Sequence, residues 1–304
     1  MAQMNRKAGL IAAFTTAGAW SLLAIFLKYG LKFADSYSIV WYRMLVAFLA
    51  LLIWLLAKGQ SKKLKVFMIK PGLLLVAAVC LSLNYVGFMQ GVHYTSPANA
   101  QIFIQLGPLL LALSGIFIFK EKLSSKQLLG LIFCVIGFGL FFMDRMDKVG
   151  DNHSVFFLGL AWVVGAAVIW AVFASLQKHL LTIWDSTQIN IYIYLVATIL
   201  YSPFVDWGKI SALPLSIHAL YVFLGLNTIL AYGCLSVALR NLPATQVSPI
   251  LIMNPLLTLV FILIIDHMEW GFIPADPIGW SGYLGALLAV LGVVYVITQR
   301  STKV

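Results

Sequence analysis

Ten apolar runs, each long enough to cross a bilayer, follow one another along the chain. Their bounds are 8–28, 37–57, 71–94, 97–119, 127–143, 156–178, 187–204, 215–240, 244–265 and 279–298. A hydrocarbon core about 30 Å thick needs roughly 20 helical residues to span it. Backbone inside hydrocarbon must satisfy its own N–H and C=O groups, and runs of this length do so as helices. Of 304 residues 62% are hydrophobic and 10% charged, with mean hydropathy +0.97. A soluble domain carries about 25% charged residues. The expected fold is therefore an all-α integral membrane protein with ten spans.

The net charge of +10 does not point to nucleic acid, because the basic residues sit at span ends and in short loops. There they act as topology signals. With the N-terminus inside, fourteen of the twenty fall on the cytoplasmic side and five outside, leaving Arg43 within a span. Both termini are expected in the cytoplasm of a cell (inner) membrane. Ala17-Gly18-Ala19 resembles a signal-peptidase site, yet the apolar run continues to Leu27, so this stretch reads as a first span. Cys80, Cys134 and Cys234 all lie in apolar runs without a C-x-x-C pair and read as packing residues.

The chain repeats itself. At an offset of 150, Trp20, Lys28, Asp35 and Ser36 match Trp170, Lys178, Asp185 and Ser186. "GPLLLAL" at 107–113 parallels "NPLLTLV" at 254–260, and "GLIFCVIG" at 130–137 parallels "GALLAVLG" at 285–292. The units are 1–150 and 151–304, with five spans each. An odd number makes the second enter the membrane from the opposite side, so the repeats are inverted, an arrangement typical of secondary transporters.

This pattern resembles the drug/metabolite transporter superfamily, EamA type. The carrying residues are Trp20 with Lys28, Arg43, and "YTSPANAQIFIQLGPLLLAL" with "FKEKLSSKQLLGLIFCVIG" at 94–137. "LPATQVSPILIMNPLLTLV", Glu269 and "GWSGYLGALLAVLGVV" form a looser second copy. The resemblance implies a ten-helix export-type carrier for small metabolites such as amino acids.

Polar residues inside a span need partners or water. Gln101, Gln105 and Pro108 share a face of the fourth span. Gln246, Ser248, Pro249, Asn254 and Pro255 stand at the matching depth of the ninth. Paired proline-interrupted helices point to a transporter site, although the amides could equally bond between helices. Asn84 and Tyr85 in the third span and Asn227 and Tyr232 in the eighth are further candidates, as are Asn190 and Tyr194 in the seventh. Trp20 and Trp170 either wall a cavity or pack in the core. Gly87 and Gly91 form a G-x-x-x-G, read as a packing motif. Arg43 breaks the repeat, since its mate is Ile193. With no buried acid nearby in sequence, snorkelling, backbone carbonyls, water or a substrate carboxylate are open to it.

Acidic residues avoid the span interiors, Asp266 and Glu269 lying at or just past the end of the ninth. Transport is therefore expected to proceed without a buried carboxylate relay, by facilitated diffusion or exchange. Glu121 reads as a loop pair or a helix-end contact. A membrane enzyme would need clustered acids for Mg²⁺ or a basic and histidine set for phosphate, and neither stands at a span mouth. A channel would need rings of like residues. A nucleotide-sugar or organic-anion exchanger would need several inward cations, where the spans offer Arg43. The partners expected are a small-molecule substrate and the lipid bilayer, with a homodimer left open. No cofactor, metal or nucleic acid is expected.

Overall fold

The computed structural model describes residues 5–68, 72–95, 97–121, 124–146, 153–267 and 279–298. Every regular element among them is helical. In chain order these are α1 (Arg6–Gly30), α2 (Ser36–Ala57), α3 (Gly72–Tyr94), α4 (Pro97–Phe103), α5 (Leu106–Phe117), α6 (Ser125–Met146) and α7 (His153–Leu180). Then come α8 (Ser186–Tyr201), the short α9 (Trp207–Ser211), α10 (Leu215–Asn241), α11 (Ala244–Ile252), α12 (Asn254–His267) and α13 (Trp280–Thr298). Two 3₁₀ segments, Ser61–Met68 and Ser202–Phe204, follow α2 and α8. Seven helical stretches are long and apolar enough to cross a membrane, with shorter apolar helices at Ser125–Phe141 and Trp280–Val296. The chain is thus a polytopic, all-helical membrane protein.

The Asp-Ser pairs that recur at the offset of 150 have a local purpose. Asp35 caps α2, its carboxylate accepting from the Tyr37 and Ser38 amides. Asp185 caps α8 and completes a reciprocal capping box with Gln188. Each supplies acceptors to amides that have no partner within the helix.

The two proline-containing apolar runs are each broken, as their prolines lead one to expect. Pro108 has no amide proton, and its ring crowds the carbonyl four residues earlier, on Ile104. The helix gives way there: the Gly107 amide bonds to Ile104 O at 2.9 Å, and α5 starts afresh. Pro255 acts in the same way on Leu251, and α11 and α12 are separated at Met253.

Glycines set the closest helix contacts. A Cβ on Gly87 would meet Ala166 Cβ at 2.9 Å and Trp162 O at 3.2 Å, so the G-x-x-x-G of α3 seats against α7 as a packing motif. On α10, a Cβ at Gly225 would lie 2.6 Å from Val46 and 3.0 Å from the Arg43 carbonyl, which draws α10 onto α2. α6 and α13 pack together through Gly130, Gly137, Gly285 and Gly292. That pair reaches the remaining helices mainly through α11.

Candidate functional site

A cavity lies among α1, α2, α3, the α4–α5 and α11–α12 breaks, α7 and α10. Nine of the twelve candidate residues line it: Trp20, Arg43, Asn84, Tyr85, Gln101, Gln105, Trp170, Tyr232 and Asn254. Pro108 joins them, with the apolar Leu23, Leu27, Phe88 and Ile104. Those four carry no sequence signal, because an apolar residue facing a cavity reads like one facing lipid.

The two tryptophans meet. Trp20 and Trp170 stand edge to face with ring centroids 5.7 Å apart, and Tyr232 lies 5.4 Å from Trp20. Edge-to-face pairs bring a positive ring edge to a negative face, which fixes ring orientation. Gly107, beside the α4–α5 break, leaves room for Trp170: a Cβ there would sit 2.9 Å from the indole.

Arg43 is buried, 1% exposed, so it does not snorkel. Its Nη2 donates to Thr228 Oγ1 at 3.1 Å, and that hydroxyl donates onward to Leu224 O at 2.9 Å. Its guanidinium carbon lies 5.3 Å from the Tyr85 ring centroid. Nε has no hydrogen-bond partner, and no ion pair among the described residues reaches this side chain. Thr228 is a functional neighbour that sequence reasoning missed; Gly225, one turn earlier, brings it to Arg43.

The amides are partly committed. Gln105 Nε2 donates to Gln101 O at 2.8 Å, which leaves Gln105 Oε1 as the free end, buried and without a donor. Asn254 Oδ1 is likewise without a donor. Asn84 Nδ2 donates to Ala166 O at 2.9 Å and Gln101 Nε2 to Trp20 O at 3.2 Å. These two residues therefore do both jobs considered for them, tying helices together and lining the cavity.

Asn190, Tyr194 and Asn227 do not line the cavity, and α8 contributes nothing to its wall. Asn227 Nδ2 donates to Ala19 O at 3.0 Å and joins α10 to α1. Tyr194 is fully buried, its hydroxyl directed at Thr228 O at 3.4 Å. Asn190 is buried among the helices with Oδ1 unpartnered. Asn227→Leu is expected to lower stability by about 1 kcal/mol, the scale of an interhelical hydrogen bond. Thermal unfolding in detergent should register that loss while ligand affinity stays within about twofold.

The cavity lies toward one end of the helices that wall it. It follows α1 from Trp20 to Leu27, toward that helix's C-terminal end. The other end is tied shut. Ser175 bonds Ser114 at 2.9 Å, and Gln177 Nε2 donates to Ser236 Oγ at 3.0 Å. Beyond them Glu121 accepts from Lys178 Nζ, from the Ala244 and Thr245 amides at 2.9 and 3.0 Å, and from Thr245 Oγ1 at 2.9 Å. Glu121 is thus a helix-end contact, closing the N-terminus of α11 across 123 residues of sequence. Its repeat counterpart, Glu269, lies outside the described residues. Asp144, near the end of α6, caps the start of α13, accepting from Gly279 N and Ser281 Oγ. The described residues contain no group of acids, histidines or cysteines suited to a metal.

A polytopic helical membrane protein whose helices wall one cavity with a buried cation and paired amides is built as a transporter. The chain belongs to the EamA-like transporter family, which matches residues 7–143 and again residues 157–298. It is 33% identical over 291 residues to an "Uncharacterized transporter" of Haemophilus influenzae, covering 94% of this chain and 93% of that one. The "Uncharacterized inner membrane transporter YhbE" of Escherichia coli K12 is 33% identical over 289 residues, covering 94% and 90%. A solved crystal structure shares the fold with TM-score 0.72 over 96% of this chain and 98% of its own, at 16% identity.

Proposed function

We propose that the protein is a secondary, export-type carrier for small polar metabolites such as amino acids, working by alternating access. In this reading ten spans form two inverted five-helix repeats, 1–150 and 151–304, and both termini are cytoplasmic. α4 with α5 makes one span and α11 with α12 its counterpart. The carrying observation is the helix pairing. α1 packs on α10 as α3 packs on α7, α1 on α12 as α7 on α5, and α2 on α10 as α8 on α3. α2 with α8 and α6 with α13 each pair with their own counterparts, and α5 on α11 has its image in α12 on α4. Exchanging the two halves leaves this set unchanged, as a two-fold axis in the membrane plane requires. The cavity lies between the halves with a broken helix from each beside it, the usual place for a transporter site. The nucleotide-sugar alternative draws less support, because Arg43 is the one cationic side chain among the described residues lining the cavity.

Reconstituted protein should catalyse saturable counterflow of a labelled amino acid, and Trp170→Ala should cut the initial rate at least ~10-fold by opening the aromatic wall. Single cysteines at 62 and 209 should be labelled from opposite sides. Absence of flux across amino acids, amines and nucleotide sugars, with a well-folded sample, would overturn the carrier reading.

A further inference from the structure

The structure assigns the two ends of the cavity's ligand: a carboxylate on Arg43 and an ammonium at the free amide oxygens of Gln105 and Asn254, with an apolar body between. This inference rests on the carrier reading above and narrows its substrate class to an apolar zwitterion.

Arg43 carries the first half of the argument. A guanidinium taken out of water costs several kcal/mol unless its donors are met and its charge is balanced. Here one nitrogen reaches a threonine hydroxyl, the plane lies near the Tyr85 ring, and Nε has no acceptor. The surrounding aromatic and hydroxyl groups are neutral. A planar fork whose Nε is unused, at the wall of a cavity, fits a carboxylate in bidentate geometry.

The amides carry the second half. Gln105 Oε1 and Asn254 Oδ1 are buried acceptors without donors, and both residues line the same cavity as Arg43. Gln105 is held by its own Nε2 bond to Gln101 O, so its oxygen is the end offered to a ligand. A buried acceptor left unpaired costs about 1–3 kcal/mol, which a ligand N–H recovers. The described lining holds no carboxylate to receive an ammonium, so neutral carbonyl oxygens serve. An anion without an amine would leave both oxygens unsatisfied. A cation without a carboxylate would leave Arg43 unbalanced and add a like charge to it. The rest of the lining, Leu23, Leu27, Phe88 and Ile104, suits a hydrocarbon side chain.

Three probes with one isobutyl body separate the two ends: leucine, leucinamide, which lacks the carboxylate, and 4-methylpentanoate, which lacks the amine. Binding is measured calorimetrically on the full chain in nanodiscs at pH 6.5. Leucine is expected to bind at least ~10-fold tighter than either analogue. Arg43→Gln should collapse the leucine-to-leucinamide ratio toward one, and Arg43→Lys should restore part of it. Gln105→Leu and Asn254→Leu should lower the leucine-to-4-methylpentanoate ratio and leave the leucinamide ratio standing. A purely structural role would weaken all three probes together. Leucinamide matching leucine on the wild type, or an unchanged ratio in folded Arg43→Gln, overturns the carboxylate assignment. Equal binding of 4-methylpentanoate and leucine overturns the amide assignment. No binding of any probe to a folded sample overturns the inference as a whole, while flux of another solute class in liposomes would leave the carrier reading intact.

Discussion

Leucine at position 137 is expected to leave almost no correctly folded protein. α6 and α13 cross with two glycines on each helix, Gly130 and Gly137 against Gly292 and Gly285. A Cβ on Gly285 would stand 2.5 Å from the Gly137 carbonyl oxygen and 2.5 Å from the Phe141 amide, so backbone meets backbone. Lipid offers little hydrophobic drive for two apolar helices to pair, and close small-residue packing supplies the attraction instead. A leucine must push the helices apart along two turns, which forfeits those contacts and exceeds the roughly 1–3 kcal/mol of ordinary overpacking. The folded, monodisperse fraction after detergent extraction should fall at least ~10-fold. Gly285→Leu should do the same, and the double variant should be little worse, because both act on one contact. Gly139 is the control, since a Cβ there meets nothing within 4 Å. If Gly139→Leu and Gly137→Leu behave alike, the close crossing is not what holds this pair.

The second large effect belongs to Glu121. Its carboxylate gathers Lys178, two α11 amides and the Thr245 hydroxyl, with side-chain exposures of 13% for Glu121 and 16% for Lys178. Lys178 also lies 4.8 Å from the Phe119 ring centroid. Burial works to raise the carboxyl's pKa, but Lys178 and the α11 amides outweigh it and hold Glu121 below its ordinary value. A depressed folded-state pKa means stability that is present above the ordinary carboxylate range and lost as pH falls through the lower folded value. Glu121→Gln puts an N–H donor where only acceptors fit, and should cost on the order of 2–4 kcal/mol in thermal or denaturant unfolding. Lys178→Met leaves the carboxylate buried with its amides and should cost less. As pH falls through that lower folded value, the wild type should converge on Glu121→Gln. A constant gap between the two across that range would separate the loss from the ionised carboxylate.

Much of the helical pattern is legible in the sequence because lipid imposes length and hydropathy on each run. The described helices begin and end within a few residues of the apolar runs, and the repeated Asp-Ser pairs prove to be caps. Pro108 and Pro255 announce interrupted helices, but not where the turn falls, which depends on the carbonyl four residues back. The candidate site is legible only in part. Helical spacing places Asn190 and Tyr194 on one face of α8, yet it cannot say that this face meets other helices rather than the cavity. Asn227 shows the same limit, since its amide is spent on Ala19 O. The partners of Glu121 stand 57 and more than 120 residues away, and no local signal links them.

The cavity reaches toward one face of the membrane while Glu121, Lys178 and Gln177 bind the other face closed. In the carrier reading proposed above, those bonds would favour one orientation of the protein; they would not make it a one-way valve. A bound solute can shift the balance between two orientations only by holding one more tightly than the other. Detailed balance then requires that, without a second driving species, net movement follows the solute's own gradient. What the asymmetry sets is kinetic. On that proposal, solute arriving at the face the cavity reaches would meet a site already formed, while solute at the other face would first have to draw on the energy of the latch. The apparent affinities on the two faces should therefore differ by the population of each orientation, even though the site in both is made of the same side chains.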